Sequence, residues 1–157
     1  QFGEAEECLG DIYVRLNNDM GALQHYQKAA LREDLGLGNH AALLKKMAAE
    51  LARLGMTHEA VDLYEKSVVV DPSDPLVYFD LGTLWNQLGQ LDRSIYFFEQ
   101  AVKVKPDFTP AHLNLASCYF TKGRLAEART EVQAVLRAEP GNRQAEKLLR
   151  QIVKKSS

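Results

Sequence analysis

Four histidines (His25, His40, His58 and His112) and two cysteines (Cys8 and Cys118) carry the most versatile chemistry in this 157-residue chain. Their spacing assembles no reactive centre. No two histidines stand four residues apart, the separation that sets two imidazoles on one helical face to grip a metal. Cys8 and Cys118 lack the paired spacings of a zinc site or a disulfide framework, and both read as small apolar residues, buried or half-buried. A catalytic site needs a nucleophile beside a base, paired carboxylates in a pocket, or metal ligands at usable spacing. His58 falls in the first turn of a helix and His112 in a packing column, so neither reads as a base. No GxGxxG, GxSxG or GxxxxGK[ST] occurs, and Gly36-Leu37-Gly38 lacks the rest of a phosphate-cradling loop. The expectation is a non-enzyme with no metal and no cofactor.

The elements that position these residues come from an ordinary globular composition. There are 19 Lys plus Arg against 21 Asp plus Glu, a net charge of −2, with 46% hydrophobic and 25% charged residues. That balance argues against disorder and against a nucleic-acid partner. No run approaches 18 apolar residues, so no membrane insertion is expected. The chain starts at Gln1 without a basic-then-apolar leader, as expected of a processed chain or a fragment. The cysteine usage fits a reducing, cytoplasmic compartment without demonstrating one.

Pro72, Pro106 and Pro140 recur at intervals of 34 residues, and so do Gly55, Gly89 and Gly123. A fixed period of this length dictates architecture. Proline disfavours helix in the residue before it and closes each second helix, at Val70-Asp71-Pro72, Val104-Lys105-Pro106 and Ala138-Glu139-Pro140. Each glycine lies midway, where a chain leaving one helix turns into the next with positive φ. Apolar residues at three- and four-residue spacing (Tyr78, Leu81, Trp85 and Leu88, then Leu91, Ile95, Phe98 and Val102) give each helix one buried face. Gly82 inside a helix costs about 1 kcal/mol relative to Ala. A bulky ring from a neighbouring helix is expected to fill the space it leaves.

These columns resemble the tetratricopeptide repeat. The motif stands here as Tyr78-x2-Leu81-Gly82-x2-Trp85, Ser94-x3-Phe98 and Pro106, and again as Leu44, Met47-Ala48, Leu51, Ala60, Tyr64 and Pro72. It recurs as His112, Leu115-Ala116, Tyr119, Ala128, Val132 and Pro140, and near the start as Glu6-x2-Leu9-Gly10-x2-Tyr13 with Ala22-x3-Tyr26. The resemblance implies an all-α, right-handed superhelical α-solenoid of helix-turn-helix repeats, about four, plus a C-terminal capping helix. The expected boundaries are a divergent longer repeat over 3–40, repeats over 41–74, 75–108 and 109–141, and a cap over 142–157 with Asn142 as its N-cap. Asp34 replaces the closing proline of the first unit, and Leu9-Gly10 precedes Met47-Ala48 by 38 residues rather than 34. The four extra residues are expected to lengthen the second helix or loosen the corner around residues 35–39.

In this family a peptide or protein segment lies against the concave face made by the first helices. That implies a groove of Glu7, Asp11, Val14 and Arg15, then Lys45, Lys46, Ala49, Ala52 and Arg53, then Leu76, Phe79, Asp80, Thr83, Asn86 and Gln87, and finally Leu113, Asn114, Ser117, Phe120 and Thr121. Phe79 and Phe120, outside the packing columns, are expected to be apolar anchors amid hydrogen-bonding amides. Phe120 has a second option, packing on the cap. Relatives that clamp chaperone C-terminal tails carry cations and amides where this chain has Lys45, Ala49, Asp80, Pro110 and Asn114. Only Lys45 fits, so a chaperone tail is disfavoured as partner.

Residues 1–40 hold 3 basic and 7 acidic side chains, residues 109–157 hold 9 and 4. Such polarity can steer a charged partner or favour homo-oligomerisation. The leading expectation is a non-catalytic adaptor. The alternatives are a substrate-recruiting domain of a larger enzyme and a self-associating unit.

Overall fold

The computed structural model describes residues 2–31 and 36–156. Among the described residues there are nine helices: α1 (Phe2–Arg15), α2 (Asp19–Ala30), α3 (Leu37–Arg53), α4 (Thr57–Val70), α5 (Pro75–Gln87), α6 (Leu91–Val104), α7 (Thr109–Thr121), α8 (Leu125–Ala138) and α9 (Arg143–Ser156). They fall into two compact units, Gln1–Val77 and Tyr78–Ser157. The first holds the hairpins α1–α2 and α3–α4, with α3 packed on α2. The second holds α5 from Tyr78 onward through α9, with α7 packed on α6 and α9 packed on α8.

Every hairpin turns in the same way. Gly55, Gly89 and Gly123 have φ of 78°, 71° and 76°, in the left-handed region that a side chain resists. The glycine amide bonds back to Ala52, Asn86 or Phe120, and the next amide reaches Leu51, Trp85 or Tyr119. These paired bonds are the Schellman closure, which satisfies carbonyls stranded at a helix end. The first hairpin makes the same two bonds, Asn17 to Val14 and Asn18 to Tyr13, with Asn17 at φ 54°. Asparagine tolerates this conformation better than most side chains. The glycine column thus has a fourth member that its residue type concealed.

The prolines act through the residue before them. Asp71, Lys105 and Glu139 have φ/ψ of −135/98, −131/93 and −134/81, an extended kink that stops α4, α6 and α8. The four extra residues of the first interval do not lengthen a second helix, because α2 ends at Ala30. They lengthen the start of α3, which has 17 residues against 13 in α5 and α7. Proline punctuates the chain just ahead of α5 and α7, whereas nothing of that kind stands before Ala41, so helix runs back to Leu37. The expected loosened corner falls partly on residues 32–35, outside the described residues.

Glycine inside the helices marks close approach. A Cβ on Gly82 would lie 2.6 and 2.7 Å from the Phe98 ring of α6, and one on Gly10 2.4 and 2.5 Å from the Tyr26 ring of α2. Phe98 and Tyr26 are 1% and 2% exposed. The ring therefore occupies the space that the missing side chain leaves, as the sequence suggests for Gly82. Buried Ser94 satisfies its hydroxyl by donating to the Gly82 carbonyl at 2.8 Å. Its small size and this bond explain why serine serves in an alanine column.

Cys118 is buried, and burial pushes its thiol up. Cys8 departs from expectation: it is exposed, because the inward face of α1 is formed by Glu6, Gly10 and Tyr13.

Candidate functional site

In the first unit the expected groove residues neutralise one another. Lys46 on α3 donates to Glu7 at 2.9 Å and Asp11 at 2.8 Å on α1. Burial opposes charge on Asp11, but the Lys46 ammonium and the Tyr26 hydroxyl outweigh it and hold the carboxyl below its usual range. Burial likewise opposes charge on Lys46, and its two carboxylate partners raise it regardless. Lys45 pairs with Asp74 at 2.6 Å. Arg53 reaches Asp19 at 2.8 Å and Glu50 at 3.4 Å. Arg15 and Leu76 are exposed. The cations of α3 thus fasten α1, α2 and the chain entering α5, and the face carries few unmatched charges.

In the second unit Phe79 is not a free anchor. Its ring stacks at a tilt against Phe98 and Phe108, with centroids 5.7 and 5.4 Å apart. Thr83 turns its hydroxyl back to the Phe79 carbonyl at 2.9 Å. Asp80 is half-buried and Asn86 exposed on the same helix. Phe120 packs beside the core and carries the Lys155 ammonium 4.8 Å above its ring, the packing on α9 foreseen for it. Both rings therefore have intramolecular work, which spacing alone does not reveal for Phe79.

What the second unit does leave open is a cleft of about 310 Å³ between α7 and α9, lined by Leu113, Asn114, Ser117, Gln144, Lys147, Leu148 and Gln151. Leu113 and Leu148 lie against the core and form its apolar wall. The amides of Asn114, Gln144 and Gln151 and the Ser117 hydroxyl make no side-chain hydrogen bond to any described residue. Such groups can donate to and accept from an extended backbone. The structure brings Leu113, Asn114 and Ser117 together as expected. Gln144, Lys147, Leu148 and Gln151 of α9 also line the cleft, although the sequence marks that helix only as a cap. One more 34-residue step from Leu113, Asn114 and Ser117 lands on Lys147, Leu148 and Gln151, a signal present in the sequence.

Two histidines prove structural. His25 pairs with Glu6 and His112 with Glu131, each Nδ1 to Oε2 at 2.6 Å and each joining the two helices of one hairpin. His112, 8% exposed, also donates from Nε2 to the Pro106 carbonyl at 3.0 Å. Two acceptors facing both ring nitrogens require the imidazolium. The Glu131 hydrogen bond raises the His112 pKa despite burial, which lowers it, with the Pro106 carbonyl adding to the rise. A raised folded-state pKa gives stability that is complete below the unfolded value, about 6.5, and is lost as pH rises through the folded value. The melting-temperature gap between wild type and His112→Phe is therefore expected to be wider at acidic than at alkaline pH, read by circular dichroism. An equal gap at both would show that the imidazolium is not part of the folded state.

Among the described residues, no group of three or more His, Cys, Asp or Glu side chains could hold a metal ion, and no helix is long and apolar enough to cross a membrane. The hairpin geometry, the glycine–ring contacts and the proline-kinked helix ends define a helical-repeat protein. Two profiles described as tetratricopeptide repeat match residues 45–107 and 87–152, and the chain belongs to the tetratricopeptide-repeat family. It is 26% identical over 137 residues to protein FlbA of Caulobacter vibrioides, covering 85% of this chain and 22% of that protein. The chain spans about a quarter of the length of the curated relatives it matches. Among solved structures it resembles the first tetratricopeptide domain of Spaghetti (RPAP3) bound to the HSP90 peptide SRMEEVD, at 26% identity and a TM-score of 0.68 over 73% of this chain and 90% of that one. A tetratricopeptide repeat protein from Parabacteroides merdae shares the fold at 16% identity, with a TM-score of 0.93 over 99% of this chain and 60% of the other.

Proposed function

We propose that this chain is a non-catalytic protein-interaction module that binds a peptide or protein segment, with the α7–α9 cleft of the second unit as the principal contact. The observation that carries this reading is the set of unpaired amides and one hydroxyl beside an apolar wall, in a cleft of about 310 Å³. An extended segment presents backbone donors and acceptors at regular intervals, and Asn114, Ser117, Gln144 and Gln151 answer both kinds. The Spaghetti domain, which holds an HSP90 peptide, supports peptide capture as the mode. A chaperone tail is disfavoured as the ligand here, since Lys45, the one matching clamp residue, is already paired with Asp74. In this reading the chain performs no catalysis of its own and serves to recruit, within a longer protein or an assembly.

The test begins with peptides selected by display on the immobilised protein and measured by fluorescence anisotropy. The double variant Asn114→Ala/Gln151→Ala is expected to weaken the selected peptides by at least about tenfold, the loss of roughly one hydrogen bond's worth of binding at each position. Its circular-dichroism melt should match wild type, because neither side chain is in the core. Unchanged affinity in a folded double variant would overturn the assignment of the cleft.

A further inference from the structure

Ala5, Leu9 and Ile12 run in a line along α1, and Leu16 continues it, its amide still bonded to the Ile12 carbonyl at 3.1 Å. All four are exposed, Leu9 by 39%, Ile12 by 48% and Leu16 by 68%. Their spacing of four, three and four residues keeps them within a narrow stripe of the helix.

The first three positions of this stripe are covered wherever they recur within a unit. Moved 38 residues on, it begins at Leu43 of α3, which is 1% exposed and packs on Ala22, Tyr26 and Ala29 of α2. On α7 it falls on Ala111, Leu115 and Cys118, all at most 3% exposed, with Leu115 and Cys118 in one cluster with Ile95 and Phe98 of α6. On α9 it includes Ala145 and Ile152, buried with Ala128, Val132 and Val135 of α8. The stripe is thus an interface by its register, and on α1 no described helix covers it.

We propose that this face is a self-association surface, on which α1 of a second copy lies antiparallel. The stripe is complementary to itself. A four-three-four spacing reads the same in both directions, so a twofold axis between Leu9 and Ile12 sets Leu9 against Ile12 of the other copy. It also sets small Ala5 against Leu16, the most exposed of the four, so that volumes match across the contact. The flank beside the stripe carries exposed Glu4 near one end and exposed Arg15 near the other. Antiparallel pairing keeps this flank facing itself across the twofold axis with its direction reversed, which brings each Glu4 toward the other copy's Arg15. Self-complementarity of this kind is the condition for an isologous twofold contact, which closes at two copies.

Sedimentation velocity from micromolar to hundred-micromolar protein tests this. Wild type is expected to show a reversible monomer–dimer equilibrium. Ile12→Glu, at an exposed position, should keep the wild-type melt and weaken the dimer by about a hundredfold, because each dimer holds two copies of the change at about tenfold each. Glu4→Arg and Arg15→Glu should each weaken it by about tenfold through like-charge contacts, and the double variant should recover wild-type affinity. Monomer at every concentration would overturn the proposal and reserve the stripe for a helix of different sequence. A dimer insensitive to Ile12→Glu, failure of the double charge reversal to restore affinity, or species that grow past the dimer would each overturn it as well.

Discussion

Phe98→Ala is expected to destabilise the second unit by about 3–5 kcal/mol, the usual cost of deleting a buried aromatic ring and leaving its cavity. The ring is 1% exposed and lies against the Gly82 backbone on one side and the Phe79 ring on the other. Its loss removes the group that occupies the helix-interior glycine's empty volume. The sharper test is a pair of backgrounds. Gly82→Ala in wild type gains about 1 kcal/mol of helix propensity but drives a Cβ to 2.6 Å from the ring, an overpacking that costs about 1–3 kcal/mol. The net is destabilising. In Phe98→Ala the obstacle is gone and the same Gly82→Ala becomes stabilising, so the effect changes sign. Urea melts of the four proteins measure this coupling, and an equal effect of Gly82→Ala in both backgrounds would remove the ring as the reason for the glycine.

Ile152→Asp is the second large effect, at about 3–5 kcal/mol, since it strands a charge without a partner in an apolar cluster. Ile152 is 1% exposed among Ala128, Val132, Val135 and Ala145, and the cluster supplies no cation to receive the carboxylate. Its neighbour Val153 is 50% exposed, and Val153→Ser should cost less than about 1 kcal/mol. Thermal melts of the two variants separate these outcomes. Similar losses would mean that α9 is fastened along its whole apolar surface rather than through the Ile152 side. The pair is informative because spacing alone places both residues in one stripe, and only contact with α8 tells them apart.

The candidate site was legible in part. Leu113, Asn114 and Ser117 are what the resemblance to the tetratricopeptide repeat implies, and they line a cleft; the 34-residue period carried one step further reaches Lys147 and Gln151. Phe79 reads as free in the sequence because periodicity tells which helix face a residue shares, while the rings that meet it, Phe98 and Phe108, arrive from elsewhere in the chain. The charges of α3 looked like ligand contacts for the same reason. Lys46 finds Glu7 and Asp11 at separations of 39 and 35 residues, and a pairing at that distance is written in no local pattern.

By itself the sequence determined the last three hairpins: where α4, α6 and α8 end, where their turns need a left-handed residue, and which side of each helix is apolar. Those follow from properties local to one residue, the missing amide hydrogen of proline, the missing side chain of glycine and the 3.6-residue turn. Tertiary structure decided the rest. It put Asn17 in a glycine's place, gave the four extra residues to α3, joined His112 to Glu131 and Pro106, and left amides open between α7 and α9 while α1 kept an uncovered apolar stripe. Each of these depends on which surfaces meet, and two residues of the same type in the same register have different fates according to what lies across from them.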